Sequence, residues 1–207
     1  ARAVAELTMG MMLGVLRRLA EADRAIRANN WSPLMGRLLS EQTVGLIGCG
    51  RVGQRVAALV HAFGARVIAF DKEPTAQASG VDFLQMEDVI AQSDVLSLHT
   101  PYAPALHQVL NRERIARMKK GAVLVNTARG GLIDESALVD ALRSGHLAGA
   151  ALDCFEAEPY QGSLTDLPQV VLTAHMGSYA REARALMEKE AAQNLLTGMT
   201  AQGLLKG

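Results

Sequence analysis

Cysteine is scarce. Cys49 and Cys154 are the only two, far apart and in no metal-ligand spacing. That argues against a disulfide scaffold or a zinc site, predicts no bound metal, and makes the reducing cytoplasm the expected setting. Aromatic residues supply 4% of the 207 positions. Neither sign of charge is in excess, with 21 Lys and Arg against 21 Asp and Glu. The chain therefore lacks the clustered basic footprint of a nucleic-acid or anionic-membrane binder. No apolar run approaches the ~20 residues that span a bilayer, and no basic start followed by an apolar stretch marks a leader. An initiator Met is also missing: the chain opens Ala1-Arg2-Ala3-Val4, already in helical pattern, and is expected to be a piece of a longer protein.

What is present suffices for a packed core, with 49% hydrophobic and 20% charged residues. Ala and Gly, at 33 and 19, make a quarter of the chain, which suits helices lying close on a sheet. Residues 3–28 carry Val4, Leu7, Met11, Val15 and Leu19 at three-to-four spacing, which predicts one long amphipathic helix with Met9, Met11 and Met12 filling core. It runs out at the turn-rich Asn29-Asn30-Trp31-Ser32-Pro33.

From residue 43 the rhythm changes. Short apolar runs at 43–47, 66–70, 94–98, 122–125, 149–152 and 170–172 alternate with helical patterns at 52–63, 86–92, 112–118 and 135–144. A further helix is expected over 180–202. Six strands that are apolar on both faces and separated by helices predict an α/β fold, a doubly wound parallel sheet of the Rossmann kind spanning 43–178. The whole chain, 1–207, reads as one nucleotide-binding domain in which 1–28 is a linking helix.

Gly48-Cys49-Gly50-Arg51-Val52-Gly53 sits between the first strand and the next helix, and the second strand ends in Asp71, 21 residues beyond Gly50. A G-x-G-x-x-G string is weak alone, but this context makes it a dinucleotide fingerprint. Gly48 permits the turn, Gly50 lets backbone approach a pyrophosphate, and Gly53 lets the helix sit close on the strand. The helix N-terminus attracts phosphate. Asp71 can accept from a ribose diol and would repel a 2′-phosphate, so NAD is expected over NADP.

Four polar clusters follow later strands: His99-Thr100-Pro101, Asn126-Thr127-Ala128-Arg129-Gly130-Gly131, Asp153 to Pro159, and Ala174-His175-Met176-Gly177-Ser178. In a doubly wound sheet all of them lie on the carboxyl edge, beside the glycine loop. Together they suit a nicotinamide reaction, in which a hydride and a proton move in opposite senses. His175 is the natural proton carrier, a carboxylate such as Glu158 would favour its imidazolium, and Arg129 offers a planar fork to a substrate carboxylate. His61, His107 and His146 have no chemical partner in this pattern.

These motifs resemble those of the D-isomer-specific 2-hydroxyacid dehydrogenases, the family of phosphoglycerate dehydrogenase and glyoxylate/hydroxypyruvate reductase, over nearly the whole chain. The resemblance implies catalytic roles for Arg129, Glu158 and His175. It implies a cofactor site made of Gly48, Gly50, Arg51, Val52, Gly53, Asp71, Thr100, Thr127, Ala128, Arg129, Asp153, His175 and Gly177. The function implied is hydride transfer between NAD and C2 of a small-molecule D-2-hydroxy or 2-oxo acid. Cys49, Cys154 and Ala174 depart from the family's common wording without removing a functional group. The resemblance also implies a substrate domain absent from this chain, so that the 207 residues alone would bind NAD with little turnover. It implies a homodimer built through the first helix and the Trp31 segment. The rival reading is an NAD-sensing, non-catalytic corepressor-like protein of the same fold. A methyltransferase using S-adenosylmethionine is disfavoured by the full glycine fingerprint.

Overall fold

The computed structural model describes residues 1–74 and 79–201. Helix α1 (Arg2–Leu16) is followed by α2 (Leu19–Arg27) and by residues 30–38, which have no regular structure. Strand β1 (Thr43–Ile47), helix α3 (Gly53–Ala62), β2 (Arg66–Phe70), β3 (Val81–Phe83), α4 (Met86–Gln92) and β4 (Val95–Leu98) form the first half. The second half runs α5 (Arg112–Arg117), β5 (Ala122–Asn126), α6 (Glu135–Arg143), β6 (Leu147–Leu152), β7 (Val170–Leu172) and α7 (Arg181–Ala201). The expected last residue of α7, 202, lies outside the described residues.

One sheet holds all seven strands in the order β3-β2-β1-β4-β5-β6-β7, and every pairing is parallel. The order reverses at β1 and β4, and a ligand crevice opens at such a switch point beyond the strands' carboxyl ends. Because the side-chain period of a strand is two, each strand feeds both faces. Val44, Leu46, Val67, Ala69, Val123 and Val125 join the core under α1 and α3. Ile68, Leu96, Leu98, Leu124, Ala150 and Leu152 join the core on the opposite face with α4, α5 and α6. The doubly wound prediction holds.

Two expectations are corrected. The sheet has seven strands, not six. The missed β3 is a three-residue, partly exposed edge strand, too short to show a period of two. The single helix expected over 3–28 is two. Arg18 adopts φ +54°, a left-handed conformation that ends α1, and its side chain grips Glu21 at 2.6 and 3.0 Å. Arg37 N–H then donates to the Leu16 carbonyl at 3.0 Å, satisfying one of the open carbonyls at the end of α1. Met9, Met11 and Met12 of α1 are buried in the core as expected. β6 begins two residues before the predicted 149, with a register shift between Ala122 and Val123.

Candidate active site

At the switch point the turn from β1 into α3 is shaped by glycines. Gly48 has φ +96°, and a Cβ there would stand 2.8 Å from the His99 carbonyl carbon and the Thr100 nitrogen. A Cβ on Gly53 would run into the Gly48 carbonyl oxygen, so α3 can start this close to β1 only at glycine. At Gly50, which lines the cleft, nothing stands within 4 Å of the corresponding position. The first turn of α3 has no acidic side chain and no side-chain cap, which leaves its positive end available to an anion. A cleft of about 970 Å³ passes Gly50, Arg51 and Val52 and continues to Thr100, Thr127, Ala128 and Arg129. A second hollow of about 390 Å³ adds Gly48, Asp71, Lys72 and Leu106, and shares Gly50, His99, Thr100 and Pro101 with the first. A connected channel with an open glycine, a bare helix end and an acid at one extremity fits a dinucleotide.

Asp71 has a second task that sequence did not show. Its Oδ2 accepts from Cys49 N–H at 2.6 Å and its Oδ1 from Glu73 N–H at 3.0 Å, tying the glycine loop to the end of β2. Lone pairs remain on both oxygens for a ribose.

His99 lines both hollows, a position that the sequence pattern around Thr100 does not reveal. Its Nε2 lies 2.9 Å from the hydroxyl of buried Ser97, and desolvation pushes its pKa down to about 4. The ring under the cleft is neutral at pH 7.

Beyond β5 the backbone is clamped by a buried amide. Asn126 Nδ2 donates to the Arg129 carbonyl at 2.9 Å, and Asn126 Oδ1 accepts from Ala128 N–H at 3.0 Å. Thr8 on α1 donates to Val4 O at 2.8 Å, so the 2.8 Å contact between the hydroxyls of Thr8 and Thr127 uses the proton of Thr127. Thr127 therefore meets a ligand as an acceptor. The Arg129 guanidinium stands exposed above this clamp, with one N–H donated to the Ala128 carbonyl at 2.6 Å.

Asp153, after β6, is 1% exposed and clamps the other loop. Oδ1 accepts from Thr173 Oγ1 at 2.6 Å and Met176 N–H at 2.8 Å, and Oδ2 accepts from Gly177 N–H at 2.8 Å. These bonds bracket His175, whose φ is +51°. The imidazole Nδ1 lies 3.0 and 3.1 Å from the two oxygens of Glu158. An ionised carboxylate only accepts, so the proton belongs on Nδ1, and Nε2 has no partner among the described residues. Phe155 N–H donates to Glu158 Oε1 at 3.0 Å, and this bond, then His175, then nearby Arg129, hold the Glu158 carboxyl below its usual pKa.

The expected site residues do not all face one cavity. Arg51, Val52, Thr100, Thr127, Ala128 and Arg129 line the main cleft. Glu158 and His175 line a separate apolar hollow of about 640 Å³, with Phe155 bordering both. Gly53, Asp153 and Gly177 line neither; buried, they hold the loops in place. His107, expected to lack a partner, lies on the wall of the main cleft beside Tyr102 and Glu156. Cys49 and Cys154 are buried free thiols, pushed up to about 11 and about 12 chiefly by burial, and so stay neutral packing groups.

The family model described as D-isomer specific 2-hydroxyacid dehydrogenase, NAD binding domain, matches residues 9–177. The chain belongs to this family. It is 40% identical over 204 residues to a D-3-phosphoglycerate dehydrogenase of Mycobacterium leprae, covering 96% of this chain and 39% of the relative. It is also 40% identical over 206 residues to a glyoxylate reductase of Thermofilum pendens, covering 94% and 61%. Among solved structures, the D-lactate dehydrogenase of Aquifex aeolicus, complexed with NAD and lactic acid, superposes with a TM-score of 0.88 at 30% identity, covering 97% of this chain and 66% of that one. The chain thus spans less than two thirds of the length of each of these 2-hydroxyacid dehydrogenases. What it contains is the family's NAD-binding domain.

Proposed function

We propose that this domain is the cofactor-holding half of an NAD-dependent D-2-hydroxyacid dehydrogenase and carries that enzyme's acid/base pair. The observation that bears the reading is the His175 imidazole, held through Nδ1 by both oxygens of Glu158 while Nε2 stays unpartnered among the described residues. Glu158 stabilises the imidazolium, so His175 can hold a proton on Nε2 beside a carbonyl oxygen, or remove one from a hydroxyl. Arg129 orients a substrate by a two-pronged bond to its carboxylate. Gly50, Arg51 and Val52 would hold the pyrophosphate of NAD, Asp71 its ribose, and Thr127 would accept from it. Bound there, NAD supplies the two-electron redox chemistry. The negative charge of Asp71 at the ribose end favours NAD over NADP, with Lys72 the nearest cation in sequence.

Calorimetry on the chain should show NAD binding tighter than NADP, and Asp71→Ala should narrow the gap. Equal affinities in the unsubstituted chain would refute the role of Asp71. The full-length enzyme should reduce short 2-oxo acids with NADH, and the 207-residue chain should not. A full-length protein that binds NADH but reduces no 2-oxo acid would favour the NAD-sensing corepressor reading.

The partner we propose is a second copy. Trp31 and Met35 are 89% and 88% exposed on the irregular segment 30–38, an apolar surface that water disfavours. Sedimentation should give a dimer that Trp31→Ala weakens. No helix among the described residues is long and apolar enough to cross a membrane.

A further inference from the structure

The main cleft continues past Arg129. Besides the glycine loop and Arg129, it is walled by Tyr102, His107, Gly131 and Glu156, and the segment that carries Tyr102 and His107 also borders the Asp71 hollow through Ala103 and Leu106. This wall is indexed to Arg129 by backbone. Gln108 N–H donates to the Gly131 carbonyl at 2.8 Å, and Leu110 N–H donates to the Leu132 carbonyl at 2.9 Å, lacing the segment after β4 to the one after β5. The Tyr102 ring lies against Gly131, where a Cβ would come within 2.9 Å of it. The rings of Tyr102 and His107 meet edge to face at 6.3 Å and 84°.

His107 is held in place but poorly satisfied. Its Nδ1 lies 3.4 Å from the Tyr102 hydroxyl, and its Nε2 lies 3.9 Å from Glu156 Oε1. The first is a long hydrogen bond and the second exceeds one, so the imidazole, which lines the cleft, retains hydrogen-bonding capacity. The turn carrying Glu156 is the turn carrying Glu158, and its backbone is anchored by Glu156 N–H donating to Glu135 Oε1 at 2.8 Å. One turn therefore sets a carboxylate near each of two histidines: a tight pair at His175, and a loose one at His107 across the cleft wall.

We propose that His107, steadied by Tyr102, selects the substrate: it takes a hydroxyl or other polar group on the carbon beyond the carbonyl of a 2-oxo acid held by Arg129. The preferred class is short 2-oxo acids with a polar third carbon, over those with an alkyl one. The proposal rests on the reading of Arg129 as the carboxylate site.

Side-chain NMR of the NAD-saturated chain tests it without turnover, since an oxidised cofactor and an oxo acid form a dead-end complex. Hydroxypyruvate and 2-oxobutanoate are close isosteres that differ by OH against CH3. Both should shift Arg129 Hε, and only hydroxypyruvate should shift the His107 ring protons. Hydroxypyruvate should bind about fivefold tighter, the worth of one ordinary hydrogen bond. His107→Ala should bring that ratio close to one, and Tyr102→Phe should lower it less. His107 is 46% exposed, so its replacement leaves the core intact. If both acids move Arg129 while His107 stays silent, or if the ratio survives His107→Ala, the proposal is wrong and Arg129 keeps its role. If neither acid moves Arg129, the carboxylate-site reading falls and takes this one with it.

Discussion

Two regions of the candidate site are built on opposite terms. Around Gly48 and Gly53 a ligand would meet main chain, in a turn packed so closely that a single Cβ is excluded. Around Arg129, Glu158 and His175 a ligand would meet exposed side chains on loops. What keeps those loops in place is out of sight, in buried Asn126 and Asp153, which bind five backbone or hydroxyl groups between them. The contrast separates holding from reacting. At the glycine loop the atoms that shape the fold would also hold the cofactor. In the other region the exposed Arg129, Glu158 and His175 side chains stand on the fold without supporting it.

The sharpest break would come from Gly53→Val. Its side chain would drive into the Gly48 carbonyl, and we expect a loss of about 3 kcal/mol in urea unfolding, together with loss of NAD binding. A variant as stable as the parent would remove one side of the comparison. Asp153→Ala should come next, at about 2–3 kcal/mol, because three donors lose a charged acceptor in a buried site. It should also blur the His175 ring signals, since the turn that presents the ring would slacken. Unchanged stability would mean that Asp153 is not a clamp.

The third test uses pH. His99 is held near 4 in the fold and titrates near 6.5 when unfolded, so between those values the unfolded chain binds the extra proton. The neutral ring's contribution is therefore complete above pH ~6.5 and is lost as pH falls toward 4, by about 1–3 kcal/mol. His99→Gln should flatten that slope, and an equally steep profile in the variant would contradict the assignment. The smallest effects belong to the second region. Arg129→Gln and Glu158→Gln should each change stability by no more than about 0.5 kcal/mol, because both side chains stand in solvent. A larger loss would show that the exposed groups support the fold after all.

Much of this was legible in sequence, for physical reasons. Apolar runs of four to six residues can only be buried strands when helices flank them, and the glycine spacing has meaning once a strand precedes it and a helix follows. Arg129, Glu158 and His175 could be chosen because their chemistry is complementary, without knowing their distances. Most of what escaped depends on partners distant in sequence. The clamp by Asp153 reaches 24 residues ahead to Gly177, and Thr8 finds Thr127 across 119. The break at Arg18 shows no proline or glycine, only a left-handed arginine gripping Glu21. The loose pair of His107 and Glu156 joins two loops that meet only because β5 lies between β4 and β6.

The backbone of His175 narrows what can replace it. Under the proposed role, position 175 makes two demands that few residues meet together: a ring that can give and take a proton, and a main chain at φ +51°. A β-branched residue would resist that backbone, and alanine would add strain of about 1 kcal/mol. Asparagine tolerates left-handed geometry and cannot shuttle a proton. His175→Asn is therefore the replacement that separates the chemistry from the shape of the turn, while variation toward Val or Ile would confound the two.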